Sequence, residues 1–123
     1  MEQRIKERLE QGGIQVDSAL HRFLGNEELL FRFLKKFPQE DTYLYLEKAI
    51  AQQDWEAAQN LSHTLKGVCG NLSMTGLFDL LTRQVAAFRA GDTALAVELM
   101  EQIAPAYRQA AQAIAGLDDH GKE

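Results

Sequence analysis

The sequence predicts an all-α protein: an antiparallel, up-down-up-down four-helix bundle with short N-terminal helices capping one end. Three observations carry this. No stretch sustains the period-two alternation of a half-buried strand, whereas apolar residues recur at three- and four-residue spacing along most of the chain. Gly, Asn and Asp punctuate that pattern where helices would start and stop. The connections between the long segments are about 3–5 residues, short enough to force neighbouring helices antiparallel. The whole chain, 1–123, reads as a single domain, with short helices in 1–25, the bundle in 26–115 and a frayed polar tail in 116–123.

Each element has its own signal. Residues 2–11 form a short polar helix closed by Gly12-Gly13. Asp17 or Ser18 caps a second short helix holding Ala19, Leu20, Phe23 and Leu24, stopped by Gly25. Asn26 caps a longer segment, with Glu27 and Glu28 in the first turn where they complement the helix dipole. Its apolar face is Leu30, Phe33, Leu34 and Phe37. Pro38 then imposes a kink or break, because proline lacks the N–H and crowds the preceding turn. The pattern resumes with Tyr43, Leu44, Leu46, Lys48 and Ile50. Asp54 caps the next helix, where Trp55 packs the first turn. A helix over about 75–90 follows, with Leu77, Leu81, Val85 and Phe88 inward. Gly91 ends it, and Asp92 or Thr93 caps a last helix carrying Leu95, Leu99, Ile103, Ala106, Ala110 and Ile114. Pro105 inside that helix should bend it or mark a boundary.

Composition excludes several classes. The net charge of −5 argues against a nucleic-acid binder, which carries a basic stripe. No apolar run approaches the ~20 residues that span a bilayer. The N-terminus Met-Glu-Gln-Arg-Ile-Lys-Glu-Arg is charged throughout, unlike a secretory signal. One cysteine, Cys69, allows no internal disulfide and reads as a small buried filler, which suits a reducing, cytoplasmic setting. The chain could equally be a segment of a larger membrane-bound sensor.

The densest information lies in Ser62-His63-Thr64-Leu65-Lys66-Gly67-Val68-Cys69-Gly70-Asn71. At ~100° per residue, His63, Lys66, Gly67 and Gly70 share one face, with Gln59 and Asn60 at its N-terminal end. Ala58, Leu61, Leu65, Val68 and Leu72 form the opposite, inward stripe, with Cys69 at its edge. Two glycines inside a helix demand a reason, since each costs ~1 kcal/mol relative to alanine. They either clear space around His63 for an approaching surface or permit tight packing against a neighbouring helix. A neutral imidazole is a good nucleophile near neutral pH, and Lys66 one turn away supplies positive charge on a flexible stem. That pair suits covalent phosphoryl relay, in which positioning and positive charge do most of the work.

The run His63-Thr-Leu-Lys66-Gly67 resembles the H-x-x-K-G phosphoacceptor signature of histidine-containing phosphotransfer (HPt) domains. The resemblance extends over about residues 13–115: Gly25-Asn26-Glu27-Glu28-Leu29-Leu30, the turn Asp54-Trp55-Glu56-Ala57-Ala58, and Gly91-Asp92 all fit the family pattern. The chain departs from it at Ser73 and Met74, where the family often has glycine and a small residue, and at Pro38, where the family usually builds one long helix.

The resemblance implies a four-helix bundle and a phosphorelay intermediate of two-component signalling. His63 would accept a phosphoryl group from the phosphoaspartate of a response-regulator receiver domain and pass it to another. Lys66 would stabilise the phosphoryl charge, and Gly67 and Gly70 would give steric access. Gln59, Asn60, Asn71 and Gln84 would form the docking surface, Gln84 by reaching the groove beside the imidazole. The protein would be no enzyme of its own: it has no nucleotide loop, no cofactor and no metal, the Mg²⁺ coming from the receiver. Partners would be receiver domains or a hybrid histidine kinase, met by a monomer through a small transient surface.

Other readings stand beside this one. His63 can be a plain surface histidine, although that leaves Lys66 and both glycines unexplained. A metal site would need more inward His or Glu ligands than His21 and His120 supply. Hydrolysis lacks a nucleophile–base–orienter set, because Ser62 and Thr64 point away from His63. A helical adaptor would bind a receiver or kinase through the same face without phosphorylation. Direct phosphorylation by a histidine kinase is a third possibility. Phe33, Phe37, Phe78 and Phe88 read as core, Phe78 least clearly.

Overall fold

The computed structural model describes residues 1–121, and among them every regular element is helical. In chain order these are α1 (Gln3–Gln11), α2 (Val16–Arg22), α3 (Glu27–Lys36), a single 3₁₀ turn (Phe37–Gln39), α4 (Thr42–Ala51), α5 (Trp55–Asn71), α6 (Thr75–Arg89), α7 (Thr93–Glu98) and α8 (Met100–Gly121). Linkers of three residues, 52–54, 72–74 and 90–92, turn α4 into α5, α5 into α6 and α6 into α7. Such short connections make the neighbours antiparallel.

α5 lies between α4 and α6, and α6 packs on α7 and α8. Tyr43 at the start of α4 stacks flat on Tyr107 of α8, ring centroids 3.9 Å apart, which closes the ring of helices. α3 sits beyond the 3₁₀ turn against α8, so α4 is the element that flanks α5. The break falls where Pro38 demands it, at the 3₁₀ turn. Leu30, Leu34, Leu46, Leu65, Leu81, Leu99, Ile103 and Ile114 fill a continuous core.

Caps follow local chemistry. Asn26, Asp54 and Asp92 each accept a hydrogen bond from the backbone N–H three residues on, at 3.0, 3.2 and 3.1 Å. Gly91 takes a φ of +76°, a conformation that side-chain-bearing residues avoid. α2 starts earlier than expected: Gln15 is its N-cap and Asp17 lies in the first turn, where its carboxylate pairs with Lys6 at 3.2 Å. Burial of Val16 draws the helix start back by one turn's edge.

Three expectations change. The last helix is interrupted at Leu99, between α7 and α8, and not at Pro105, which stays inside α8. Leu99 keeps right-handed helical angles (φ −60°, ψ −22°), so the chain turns slightly without stopping. Pro105 cannot bond back to Glu101, yet α8 continues through it. Where a frayed tail was expected from Gly116, α8 runs on to Gly121. Leu117 is buried, and the Arg8 guanidinium of α1 lies where a Gly116 side chain would be, so this end is tied down. Residues 122 and 123 of the expected tail lie outside the described residues. Phe33, Leu44 and Leu95 are exposed, because each sits at the edge of its stripe, and Ala96 is buried where Leu95 was expected.

Candidate functional site

The site is built on α5. Asp54 fixes the helix start, and Trp55 anchors the first turn with its ring tilted on Phe88, centroids 6.2 Å apart. The inner face comprises Ala58, Ser62, Leu65, Cys69 and Leu72. It is rotated toward α6 relative to the stripe of leucines and valine: Cys69 is central, and Leu61 and Val68 are half-buried. Burial pushes the Cys69 thiol up to about 12, so it stays protonated and inert.

A buried polar strut sets the angle of this helix. Ser62 donates to the Gln84 side-chain oxygen at 2.6 Å, and the Gln84 amide donates to the Ala96 carbonyl at 2.9 Å. Three elements, α5, α6 and α7, are thus joined through side chains with no exposed surface. Gln84 therefore belongs to the interior and not to a docking surface. The sequence carried the signal: Gln84 follows Leu81 by three residues and Leu77 by seven, which puts it on the inward face of α6.

His63 follows Ser62 directly and is therefore turned out; it is exposed on the outer face. Asn60 and Asn71 are exposed, and Gln59 and Lys66 are half-buried. Gly67 opens on space, since a Cβ built there would meet nothing within 4 Å. Gly70 does not. A Cβ at Gly70 would lie 3.2 Å from Cδ2 and Cε2 of Phe78. The two glycines thus have different reasons: Gly67 leaves room outside the fold, and Gly70 leaves room for a ring of α6. The expectation that both give access is corrected for Gly70. Phe78 is half-buried, and the Lys66 ammonium stands 5.7 Å from its ring centroid, within cation–π range.

The helix ends in a Schellman arrangement. Met74 N–H bonds to the Cys69 carbonyl at 2.9 Å and Ser73 N–H to the Gly70 carbonyl at 3.2 Å. Ser73 sits at φ +54°, in the left-handed region. Its hydroxyl is bonded to that of Ser18 at 2.9 Å, which ties α2 to the turn. Met74 is buried.

Two depressions flank Asn71. One, of about 470 Å³, is lined by Ser18, Arg22, Gly67, Gly70, Asn71 and Phe78 among others. The other, of about 560 Å³, is lined by Arg22, Phe23, Phe33, Lys36, Val68 and Asn71 among others. Arg22 of α2 is a second cation on this side, and no local signal announced it: only the tertiary fold brings the end of α2 to the end of α5. Among the described residues no three His, Cys, Asp or Glu side chains gather as a metal site requires. None of the described helices is long and apolar enough to cross a membrane.

This arrangement is one exposed imidazole on a pinned helix, with a lysine one turn on and an uncluttered glycine beside it. A family model described as Hpt domain matches residues 39–117, which span the 3₁₀ turn's end through Leu117 of α8. The chain is a member of the Hpt domain family. No curated protein and no solved structure matches it. The matched region begins where α4 is about to start, so it covers α4 to α7 and most of α8 and leaves α1–α3 outside. Hpt domains are phosphocarrier modules of two-component and phosphorelay signalling, not kinases, and as a family they interact with receiver domains and kinases.

Proposed function

We propose that this Hpt domain is a phosphorelay intermediate in which His63 carries the phosphoryl group between receiver domains. The lone pair of an imidazole nitrogen attacks the phosphorus of a receiver's aspartyl phosphate. The P–O bond to the carboxylate breaks, and the aspartate leaves with that electron pair. The proton on the other imidazole nitrogen stays or passes to solvent. In the second half, the carboxylate of another receiver attacks the same phosphorus, the N–P bond breaks, and its electron pair returns to the imidazole. The Mg²⁺ that neutralises the transferring group belongs to the receiver in each half. Lys66 adds charge from this side.

The observation that supports this best is the contrast across one residue: Ser62 is locked in the interior while His63 is exposed beside the open space at Gly67. An exposed nucleophile on a helix of fixed rotation can be approached in line by a large partner. The exposed Asn60 and Asn71 and half-buried Gln59 surround it as docking surface. The single, buried thiol suits work in a reducing cytoplasm.

The test is phosphotransfer from a ³²P-labelled receiver domain to wild type and His63→Gln, side by side. An acid-labile, alkali-stable label confined to wild type supports a histidine relay. Label from an ATP-loaded histidine kinase but not from any receiver would make the chain a direct kinase substrate. No label from either, with partner binding unchanged in His63→Gln, would leave a helical adaptor using the same face.

A further inference from the structure

We propose that Phe78 is a positioning residue that acts through Lys66: its ring, admitted by the missing side chain at Gly70, holds the lysine ammonium on the His63 face of α5. The proposal rests on the reading of His63 as phosphoacceptor.

Lysine is a point charge on a four-carbon stem, and a free ammonium spreads over many rotamers. A charge meant to meet a phosphoryl group beside His63 is more useful where its sweep is restricted. Position 66 lies on the α6 side of the His63 stripe, and Phe78 lies one turn into α6, facing that edge. Lys66 Nζ stands 5.7 Å from the ring centroid, and both side chains are half-buried. Among the described residues no carboxylate forms an ion pair with Lys66, so the ring is the partner that orients it.

The ring's own place depends on Gly70. Two of its carbons lie 3.2 Å from the position a Cβ would take, closer than side chains normally tolerate. An alanine at Gly70 requires the ring to give by a few tenths of an ångström, which loosens the seat from which it meets Lys66. The three residues form a chain of dependence in which the glycine admits the ring and the ring steers the cation. This also explains an otherwise unfavourable glycine at a position where a Cβ would meet a ring and not open space. Gly67 and Gly70 are not interchangeable, one keeping an approach clear and the other setting up the charge beside it.

A ring that merely packs would be replaced without loss by another apolar side chain, whereas a ring that steers a cation must stay aromatic. The test therefore compares Phe78→Leu, Phe78→Tyr and Gly70→Ala in the full chain, alone and with Lys66→Ala. In the wild type the Lys66 Hε protons should be shifted upfield by the ring. Phe78→Leu and Gly70→Ala should return them toward free-lysine positions, and Phe78→Tyr should preserve the shift. Transfer from a phosphorylated receiver should slow about two- to fivefold in Phe78→Leu, the range an exposed cation–π contact gives. It should be retained in Phe78→Tyr and show no further loss when Phe78→Leu is added to Lys66→Ala. Gly70→Ala repeats the test with the ring still present, should Phe78→Leu fold poorly by its melting curve. An equal slowing with and without Lys66 makes Phe78 a packing residue and overturns the inference, as does an unshifted Lys66 in the wild type. Labelling His63 with phosphoramidate, a small-molecule donor, separates the two levels. Label on His63 with transfer indifferent to Phe78 overturns the inference alone; no label on His63 overturns the functional reading and the inference with it.

Discussion

Gly67→Leu separates stability from activity. A Cβ at Gly67 meets nothing within 4 Å, so a side chain can leave the backbone there toward solvent without displacing a neighbour. It also removes a glycine from the exposed interior of a 17-residue helix. Helix propensity then favours the variant by about 0.5–1 kcal/mol. For a domain of this size that raises the melting temperature by roughly 2–5 °C. Transfer should respond in the opposite sense. Residue 67 is one turn from His63, with Cβ atoms about 5–6 Å apart. The phosphorus must come within about 3–3.5 Å of the imidazole nitrogen, and a displacement of about 1 Å can cost ~100-fold. An isobutyl group standing beside the imidazole imposes at least that, so transfer should fall about 100-fold or more. Gly67→Ala, with one carbon, should fall between. The assays are thermal melting by circular dichroism and single-turnover transfer from a phosphorylated receiver. A leucine variant that melts higher and transfers at the wild-type rate would refute the account of Gly67 as cleared approach space.

Three further outcomes are expected. Gln84→Leu should lower stability by about 2–3 kcal/mol, because the Ser62 hydroxyl and Ala96 carbonyl are left buried without partners; an unchanged urea midpoint would show that the strut is dispensable. Ser73→Ala should destabilise by about 1 kcal/mol through loss of the Ser18 bond, and Ser73→Gly should recover most of it by relieving the φ of +54°; equal stability of the two variants would refute the backbone argument. Burial holds the Cys69 thiol up to about 12, and burial with the Glu47 carboxylate raises the Tyr43 hydroxyl likewise. Both groups favour the protonated form when folded, so their contribution is full below the unfolded values of about 8.5 and 10 and is lost as pH rises from there to about 12. The melting temperature should therefore fall above about pH 9, less steeply in Cys69→Ala; identical slopes would remove Cys69 from the explanation.

What could be read from the chain was local. The caps at Asn26, Asp54 and Asp92 depend on one side chain and a backbone N–H three residues away, so sequence alone specifies them. The break at Pro38 is equally local, and the His63 stripe follows from helical geometry. The rest depends on what lies opposite. Gly70 is the same residue as Gly67 to a sequence reader, and only the presence of Phe78 across the interface gives it a different task. Gln84 shares the inward stripe of Leu77 and Leu81 by spacing, yet a polar side chain on its own suggests a groove edge, and only Ser62 and Ala96 across from it explain its burial. Ser73 marks the clearest match between a departure and its consequence. Where the family favours glycine, this chain places serine in a left-handed turn and supports it with Ser18.

The Ser62–Gln84–Ala96 strut has a consequence for how this sequence can change over generations. Ser62 and Gln84 satisfy each other, so replacing either alone strands a buried polar atom of the other, a loss that replacing both by apolar residues of matching volume avoids at that contact, leaving only the Ala96 carbonyl to be answered. The two positions are therefore free to drift only as a pair. Because Ser62 adjoins His63 on the same helix, the pairing constrains the residue next to the nucleophile, so the interior partner and the reactive surface inherit their changes together.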